Sequence, residues 1–426
     1  MMPNRKLLVI ANEAPYPPNH GGRVDQWSRD QWLKSQGWSL DLVAWFAKPA
    51  APPTAQDIVH MRAVFDEVFF FDCGLSYEGL ARRLVYLFEE SPHISSRRLR
   101  KRDRVILDDR LKAARPDAIF LDGLYGGVLA FDIAQSLAIP VIYRSHNLEY
   151  RYMAGQSRAA HSILRKIKLG LASLHLENFE AKVHREAAIV FDISLEDLRH
   201  WHERRFCNHI WLPPIVNAQV LESAPKVPWG ERDYDIVFMG NLRTPNNVEG
   251  LHWFIDKVLP HLRRSDPDVK ILVAGAEPSD ALRQKVTSLA NVTLLANPKV
   301  AVNIRGQARV LINPVLSGSG TNLKNVEALF TDSPIVTTSV GAAGFAEQHK
   351  QAFVICDDPS EFANAILACL TSDAVSNKAR QAVRDVFSRE AGAWLIDGLT
   401  RAIETNSPTD WTGSVVAAEA VGNRGE

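Results

Sequence analysis

Residues 312–336 read INPVLSGSGTNLKNVEALFTDSPIV. An apolar run ends near Ile312, a loop over 317–320 alternates Ser and Gly, and helical periodicity over 322–330 leads to a second apolar run at 334–338. Strand, Gly-rich loop, helix and strand is the unit from which parallel sheets are built. In such a loop backbone N–H groups converge at a helix N-terminus, where unpaired donors and the helix dipole attract anions. Thr321 stands where a cap is needed. Lys324 falls in the first helical turn, a poor site for a cation unless an anion is bound beside it. Glu327, one turn on, can accept from two vicinal hydroxyls. On loop chemistry alone, a phosphate site and a plain capped helix fit the segment equally well.

Outward from this segment, short β-rich runs alternate with helix-length stretches along nearly the whole chain, so the fold class is α/β. Strand candidates in the first half are 6–11, 39–45, 64–71, 117–121, 140–144 and 188–191. The series restarts with 235–239, 269–274, 291–295, 309–312, 334–338 and 353–356. Two doubly wound sheets fit this pattern. Between the series, 221–232 carries Pro225, Pro228 and Gly230 with little periodicity, as a linker would. The expected division is 1–224 for an N-terminal domain and 225–405 for a C-terminal one that includes a terminal helical segment. Residues 406–426 are expected to form a disordered tail.

The length of 426 residues exceeds what a single core usually supports, in keeping with two domains. Lys and Arg number 49 and Asp and Glu number 49, so no global field recommends nucleic acid as a partner. Cys73, Cys207, Cys356 and Cys369 lack the short paired spacings of zinc or redox motifs and read as free thiols of a reducing cytoplasm. The apolar run 7–11 is too short for a signal-peptide core, and no stretch reaches the length of a spanning helix. A cytoplasmic protein is expected, with peripheral contact at the inner face of a membrane as an option.

Such a contact would be local. Arg97, Arg98, Arg100, Lys101, Arg102 and Arg104 lie on a segment expected to be helical, and read either as a solvated face or as a patch for anionic lipid or a phosphorylated acceptor. A second group, His200, His202, Glu203, Cys207 and His209, matches no metal signature, because residues two apart on a helix point to different sides.

The run GSGTNLKNVEALFTDSPIVTTSVGAAG resembles the nucleotide-sugar-binding segment of the group 1 glycosyltransferases, retaining enzymes of family 4 with the GT-B fold. MGNLRTPNNVEGLHWFIDKVLP is similar to the first strand, loop and helix of that family's C-terminal domain; YPPNHGGR and YRSHNLEYRYM resemble its N-terminal landmarks. The similarity covers the chain to about residue 405. It implies two Rossmann-like domains facing across a cleft, with a nucleoside-diphosphate sugar held mainly by the C-terminal one, a position that also suits the rule for ligand sites in α/β sheets. Carried over, Glu327 would bind the ribose hydroxyls, and Gly318, Ser319, Gly320, Thr321, Asn322, Leu323 and Lys324 would hold the diphosphate. Gly240 and Arg243 would lie in the first loop of the C-terminal domain. Gly21 and Gly22 would let the N-terminal domain approach the phosphate or sugar, and His146 would contact the donor sugar or leaving group.

The sequence departs from the family pattern at three places. Ser319 stands where many members have a second Glu that contacts the sugar, and Asn241 and Asn246 stand where many have Arg and Lys. A departing diphosphate still needs stabilisation, because negative charge accumulates on it as the glycosidic bond breaks. Lys324 is the first candidate, with Arg243 as a second. The resemblance implies transfer of a sugar to a hydroxyl of a glycan or lipid-linked acceptor, with retention, without a metal, and in polysaccharide or glycolipid assembly. The alternatives are a non-catalytic nucleotide-sugar-binding scaffold and a GT-B nucleotide-sugar epimerase. A nicotinamide enzyme is disfavoured, since the first strand is followed by NEAPYPPNHGG and not by a close-set Gly-x-Gly-x-x-Gly.

Overall fold

The structure, a computed structural model, describes residues 5–19, 21–46, 52–74, 81, 83–86, 89–159, 162–217, 221–222, 227–298, 301–318, 321–371, 377–408 and 410. These residues form two compact α/β units.

The first unit is built on Lys6–Ala11 (β1), in which residues 7–11 are an unbroken apolar run and wholly buried, as a central parallel strand covered on both faces should be. Gly21–Ser35 (α1), Ser39–Phe46 (β2), Ala55–Arg62 (α2), Glu67–Asp72 (β3), Lys101–Ala113 (α3) and Ala118–Asp122 (β4) follow. Then come Gly127–Leu137 (α4), Val141–Ser145 (β5), Glu149–Ala159 (α5), Ile163–Ala172 (α6), Leu176–Glu186 (α7), Ile189–Asp192 (β6), Leu195–Glu203 (α8) and His209–Trp211 (β7). The strands are all parallel in the order β3-β2-β1-β4-β5-β6-β7. The order reverses between β1 and β4, and that switch point is where loops diverge to leave a ligand crevice. The short edge strand β7 has no counterpart among the expected strands.

The second unit repeats the plan with Tyr234–Met239 (β8), Pro245–Trp253 (α9), Ile271–Gly275 (β9), Asp280–Thr287 (α10), Val292–Ala296 (β10), Ala301–Arg305 (α11) and Ala308–Asn313 (β11). Leu323–Ala328 (α12), Ile335–Thr337 (β12), Ser339–Ala342 (α13), Val354–Ile355 (β13), Pro359–Thr371 (α14) and Asn377–Asp385 (α15) complete it. Its order is β10-β9-β8-β11-β12-β13, with the switch between β8 and β11. No described helix is long and apolar enough to cross a membrane.

The division differs from the expected one at both ends. The first unit ends at Leu212, not at 224, and the helix Ala391–Thr405 (α16) belongs to it from Gly392 onward. The reason is packing: a Cβ on Gly398 would lie 2.6 Å from the Phe191 ring of β6, so only glycine lets the last helix seat against the first sheet. Of the expected tail, 406–408 and 410 are described; 409 and 411–426 lie outside the described residues.

Candidate functional site

At the switch point of the second unit, the loop after β8 and the loop after β11 meet. Lys324, in the first turn of α12, donates from Nζ to Asn247 Oδ1 of α9 at 2.5 Å, and Nζ stands 5.4 Å from the centroid of the Phe238 ring on β8. Asn247 in turn donates from Nδ2 to the Asn241 carbonyl at 2.9 Å. Burial pushes the Lys324 ammonium down to about 7, because among the described residues no carboxylate compensates its loss of water. The side chain is thus an amine that gains its full charge when an anion is bound beside it.

Around it, Gly318 adopts φ +134°, and a Cβ there would come within 3.2 Å of Asn246 Nδ2. Asn246 Oδ1 is buried and has no hydrogen-bond partner among the described residues. Ser317 Oγ donates to Glu249 Oε2 at 2.7 Å, tying the loop to α9. Gly240 leaves room for the Asn247 amide, 3.1 Å from where a Cβ would stand. The helix is shorter than expected, six residues beginning at Leu323, and its N-cap is Asn322, which makes no side-chain capping bond. Thr321 is therefore not the cap. Thr321 and Asn322 brace the loop by donating to the carbonyls of Gly344 and Gly341 at 3.2 and 3.3 Å. Ser319 and Gly320 lie outside the described residues.

Glu327 is held by an ion pair with Arg305, a nearly buried guanidinium at the end of α11. Sequence reasoning missed Arg305. Its only signal is an arginine that closes a helix just before β11. Arg243 lies apart from this group: its side chain is 78% exposed and pairs with Glu277 at 2.9 Å. Together with Leu242, Pro245 and Val248 it borders an open depression of about 720 Å³.

The first unit gathers a second constellation at the carboxyl ends of β4 and β5. His146 Nε2 and Asp122 Oδ1 are 2.5 Å apart, and His146 Nδ1 is 4.0 Å from Asp25 Oδ2. Arg144 holds Asp25 with two hydrogen bonds of 2.9 and 3.1 Å, and Arg29 pairs with Asp122 and, at 3.2 Å, with Asp25. Burial alone would raise both aspartates. The guanidiniums outweigh it: Arg144 first and then Arg29 hold Asp25 below the usual carboxylate range, and Arg29 with His146 does the same for Asp122. Asp30, left with a poor share of Arg29 at 3.5 Å, is pushed up to about 7 by burial. Asp25, Arg29, Asp30 and Asp122 were not anticipated, although charges at 25 and 29 one turn apart on a helix with Trp27 and Leu33 hint at a buried polar face. Gly21 and Gly22 open α1 and are exposed, forming its first turn.

The histidine group resolves differently from its sequence pattern. His209 Nδ1 lies 2.6 Å from Asp192 Oδ2 and its Nε2 lies 3.2 Å from His184 Nδ1, all three residues being fully buried. Their ligand atoms are close enough to share an ion. They are already joined to one another, however, with Trp201 stacked on His184 at 4.0 Å, and burial drives His184 far below its ordinary range into the neutral form. This is a packed polar network of α7, β6 and β7. The basic run is also partly consumed. Only residues from Lys101 onward are helical; Arg97 stacks on Tyr125 and donates to the His93 carbonyl, Arg98 pairs with Glu90, and Arg104 with Asp108.

Residues 233–372, which contain the Lys324 site, match the family model described as "Glycosyl transferases group 1". The second unit carries a group 1 glycosyltransferase domain. Beyond that domain the likeness continues: the chain is 24% identical over 374 residues to a Klebsiella pneumoniae protein described as an uncharacterized 44.6 kDa protein in the cps region, covering 85% of this chain and 90% of that one. Among solved structures, sucrose-phosphate synthase from Thermosynechococcus elongatus superposes with a TM-score of 0.62 at 17% identity, over 95% of this chain and 100% of that one. Anabaena HepE in complex with UDP and glucose gives 0.61 at 13%, over 93% and 99%. TarM of S. aureus, in complex with fondaparinux, α-GlcNAc-glycerol and UDP, gives 0.61 at 11%, over 94% and 99%. These likenesses establish the GT-B fold, here with sheets of seven and six parallel strands.

Proposed function

We propose that the protein transfers a glycosyl group from a nucleoside-diphosphate sugar to a hydroxyl of a glycan or lipid-linked acceptor, in polysaccharide assembly. The observation that carries the reading is the half-buried Lys324, with only neutral partners, at the switch point of a group 1 glycosyltransferase domain. Negative charge grows on the diphosphate as the glycosidic bond breaks, so a preorganised cation there acts more strongly on the transition state than on the bound donor. In this reading Lys324 supplies the charge that a metal would otherwise bring, and the Asn246 amide replaces the family's lysine with a neutral partner. Glu327, immobilised by Arg305, receives the ribose hydroxyls through its remaining oxygen.

His146 belongs to the reaction through its coupling to Asp122, which fixes the imidazole against the donor sugar; retention of anomeric configuration is part of the proposal. UDP complexes of HepE and TarM support a uridine nucleotide as the first donor to try, and the cps-region relative supports polysaccharide as the product class. Of the basic run, Lys101 and Arg102 are exposed and available to an anionic surface. The test is a panel of nucleoside diphosphates and their sugars in thermal-shift assays, followed by transfer with the stabilising donor. A ligand that binds only the folded state raises its melting temperature by mass action. A panel in which no nucleotide shifts the transition would overturn the reading.

A further inference from the structure

One helix of the first unit turns its apolar face outward. In α6, Ile163, Ile167 and Leu171 are 76, 55 and 46% exposed, and Leu174, just past its end, is 40% exposed. Spaced four apart, the three share one stripe. Leu169, which packs against the core of the unit, falls about 200° from the middle of that stripe at 100° per residue. The stripe is therefore aimed away from the core, and its exposure follows from how the helix is seated. Positions 166 and 168 lie about 100° to either side of it, and both are lysine.

Along the sequence that carries the stripe, the charge is of one sign. From 151 to 176 the sequence holds Arg151, Arg158, Arg165, Lys166 and Lys168, with no Asp or Glu, in a chain of zero net charge. An apolar stripe between cations, on a helix too short to span a bilayer, has the chemistry of an interfacial helix. Basic residues beside it gain from the surface potential of anionic lipid. A second copy of this chain fits less well, because a two-fold contact through α6 would bring the same cations face to face.

We propose that α6 lies flat in the surface of an anionic membrane, with Ile163, Ile167 and Leu171 in the acyl boundary and Lys166 among the headgroups. This names the surface for the membrane contact suggested above and places it on α6 rather than on the Arg97–Arg104 run; the association itself does not depend on the transfer reaction. Flotation of the full chain with phosphatidylcholine vesicles, with and without about a third of phosphatidylglycerol, tests it with no donor or acceptor present. Wild type should float with anionic vesicles at low salt, less at high salt and little with neutral ones. Ile163→Glu with Ile167→Glu should weaken that binding on the order of tenfold or more at an unchanged melting temperature. Leu171→Gln, a milder change, gives the same readout if the double variant does not fold. Absence of binding by wild type, or loss on Lys101→Glu with Arg102→Glu while the α6 variants still bind, would overturn the proposal. So would a wild-type dimer that Ile167→Glu converts to a monomer. Donor hydrolysis or transfer, measured separately with a soluble acceptor, reports on the glycosyltransferase reading and is expected to survive the α6 changes.

Discussion

Lys324 Nζ meets Asn247 Oδ1 at 2.5 Å, joining the helix that follows β11 to the helix that follows β8. These two strands flank the switch point of the second sheet, so a single contact closes the floor of the crevice where α/β folds bind ligands. It leaves the half-buried amine with a neutral partner, and the following expectations rest on that imbalance.

Replacing Lys324 by Ala should lower single-turnover rates by roughly 10²- to 10³-fold at saturating donor, with a smaller loss of donor affinity, as for removal of one preorganised charge stabiliser. Lys324→Arg should recover part of the rate, since charge is kept while the geometry changes. A turnover near wild type for a folded Ala variant would shift attention to Arg243, whose exposed pairing with Glu277 offers a weaker route to the diphosphate.

The stability of the free protein should depend on pH through the same residue. With its folded value lowered to about 7 from an ordinary value of 10.5, Lys324 binds fewer protons folded than unfolded between those limits. Stability from this group therefore rises with pH from about 7 towards 10.5, and the contribution is flat below 7, where both states are protonated. Lys324→Met should flatten the denaturation midpoint over that window relative to wild type.

Glu327→Ala should cost about 1.5 to 3 kcal/mol of donor affinity, the range for hydrogen bonds to a charged group. Arg305→Leu should reproduce part of this loss without touching the ligand, because the carboxylate would no longer be held in place. A 2'-deoxy donor separates the roles: it should lose less affinity on Glu327→Ala than on wild type. Equal losses on the two proteins would remove Glu327 from the ribose.

In the first unit, Asp122→Asn should destabilise the protein by about 3 to 5 kcal/mol, since it leaves Arg29 with a poorer set of buried partners. His146→Ala lies at a less buried position and should cost much less stability while lowering turnover. Chemical denaturation alongside steady-state kinetics distinguishes the two. Equal stability losses would make His146 a structural residue.

The sheets were legible because buried parallel strands are largely apolar runs, and twelve of the thirteen strands among the described residues fall on the runs at 6–11 through 353–356, ends shifting by up to three residues. β7 was not, since HIW is three residues long and is buried by α8 and α16 rather than marked by its own pattern. The domain ends escaped for a similar reason: Gly398 reveals its role only when Phe191, two hundred residues earlier, is beside it. At the site, Lys324 and Glu327 were legible from a local loop and helix. Arg305, Asn247 and the Asp25–Arg29–Asp122 group were not, because their meaning comes from partners on other elements.

The central claim is that Lys324 receives the donor's diphosphate, and proton uptake tests it most directly. The intact nucleoside-diphosphate sugar giving the largest thermal shift is titrated calorimetrically in buffers of different ionisation enthalpy; its phosphodiesters do not titrate near neutrality, so uptake reports on the protein. For an ammonium near 7 that gains an anionic partner, uptake should be about half a proton at pH 7 and close to one at pH 8. Lys324→Met should bind more weakly and take up none. Uptake of the same size in wild type and Lys324→Met, or none in wild type, would contradict the account.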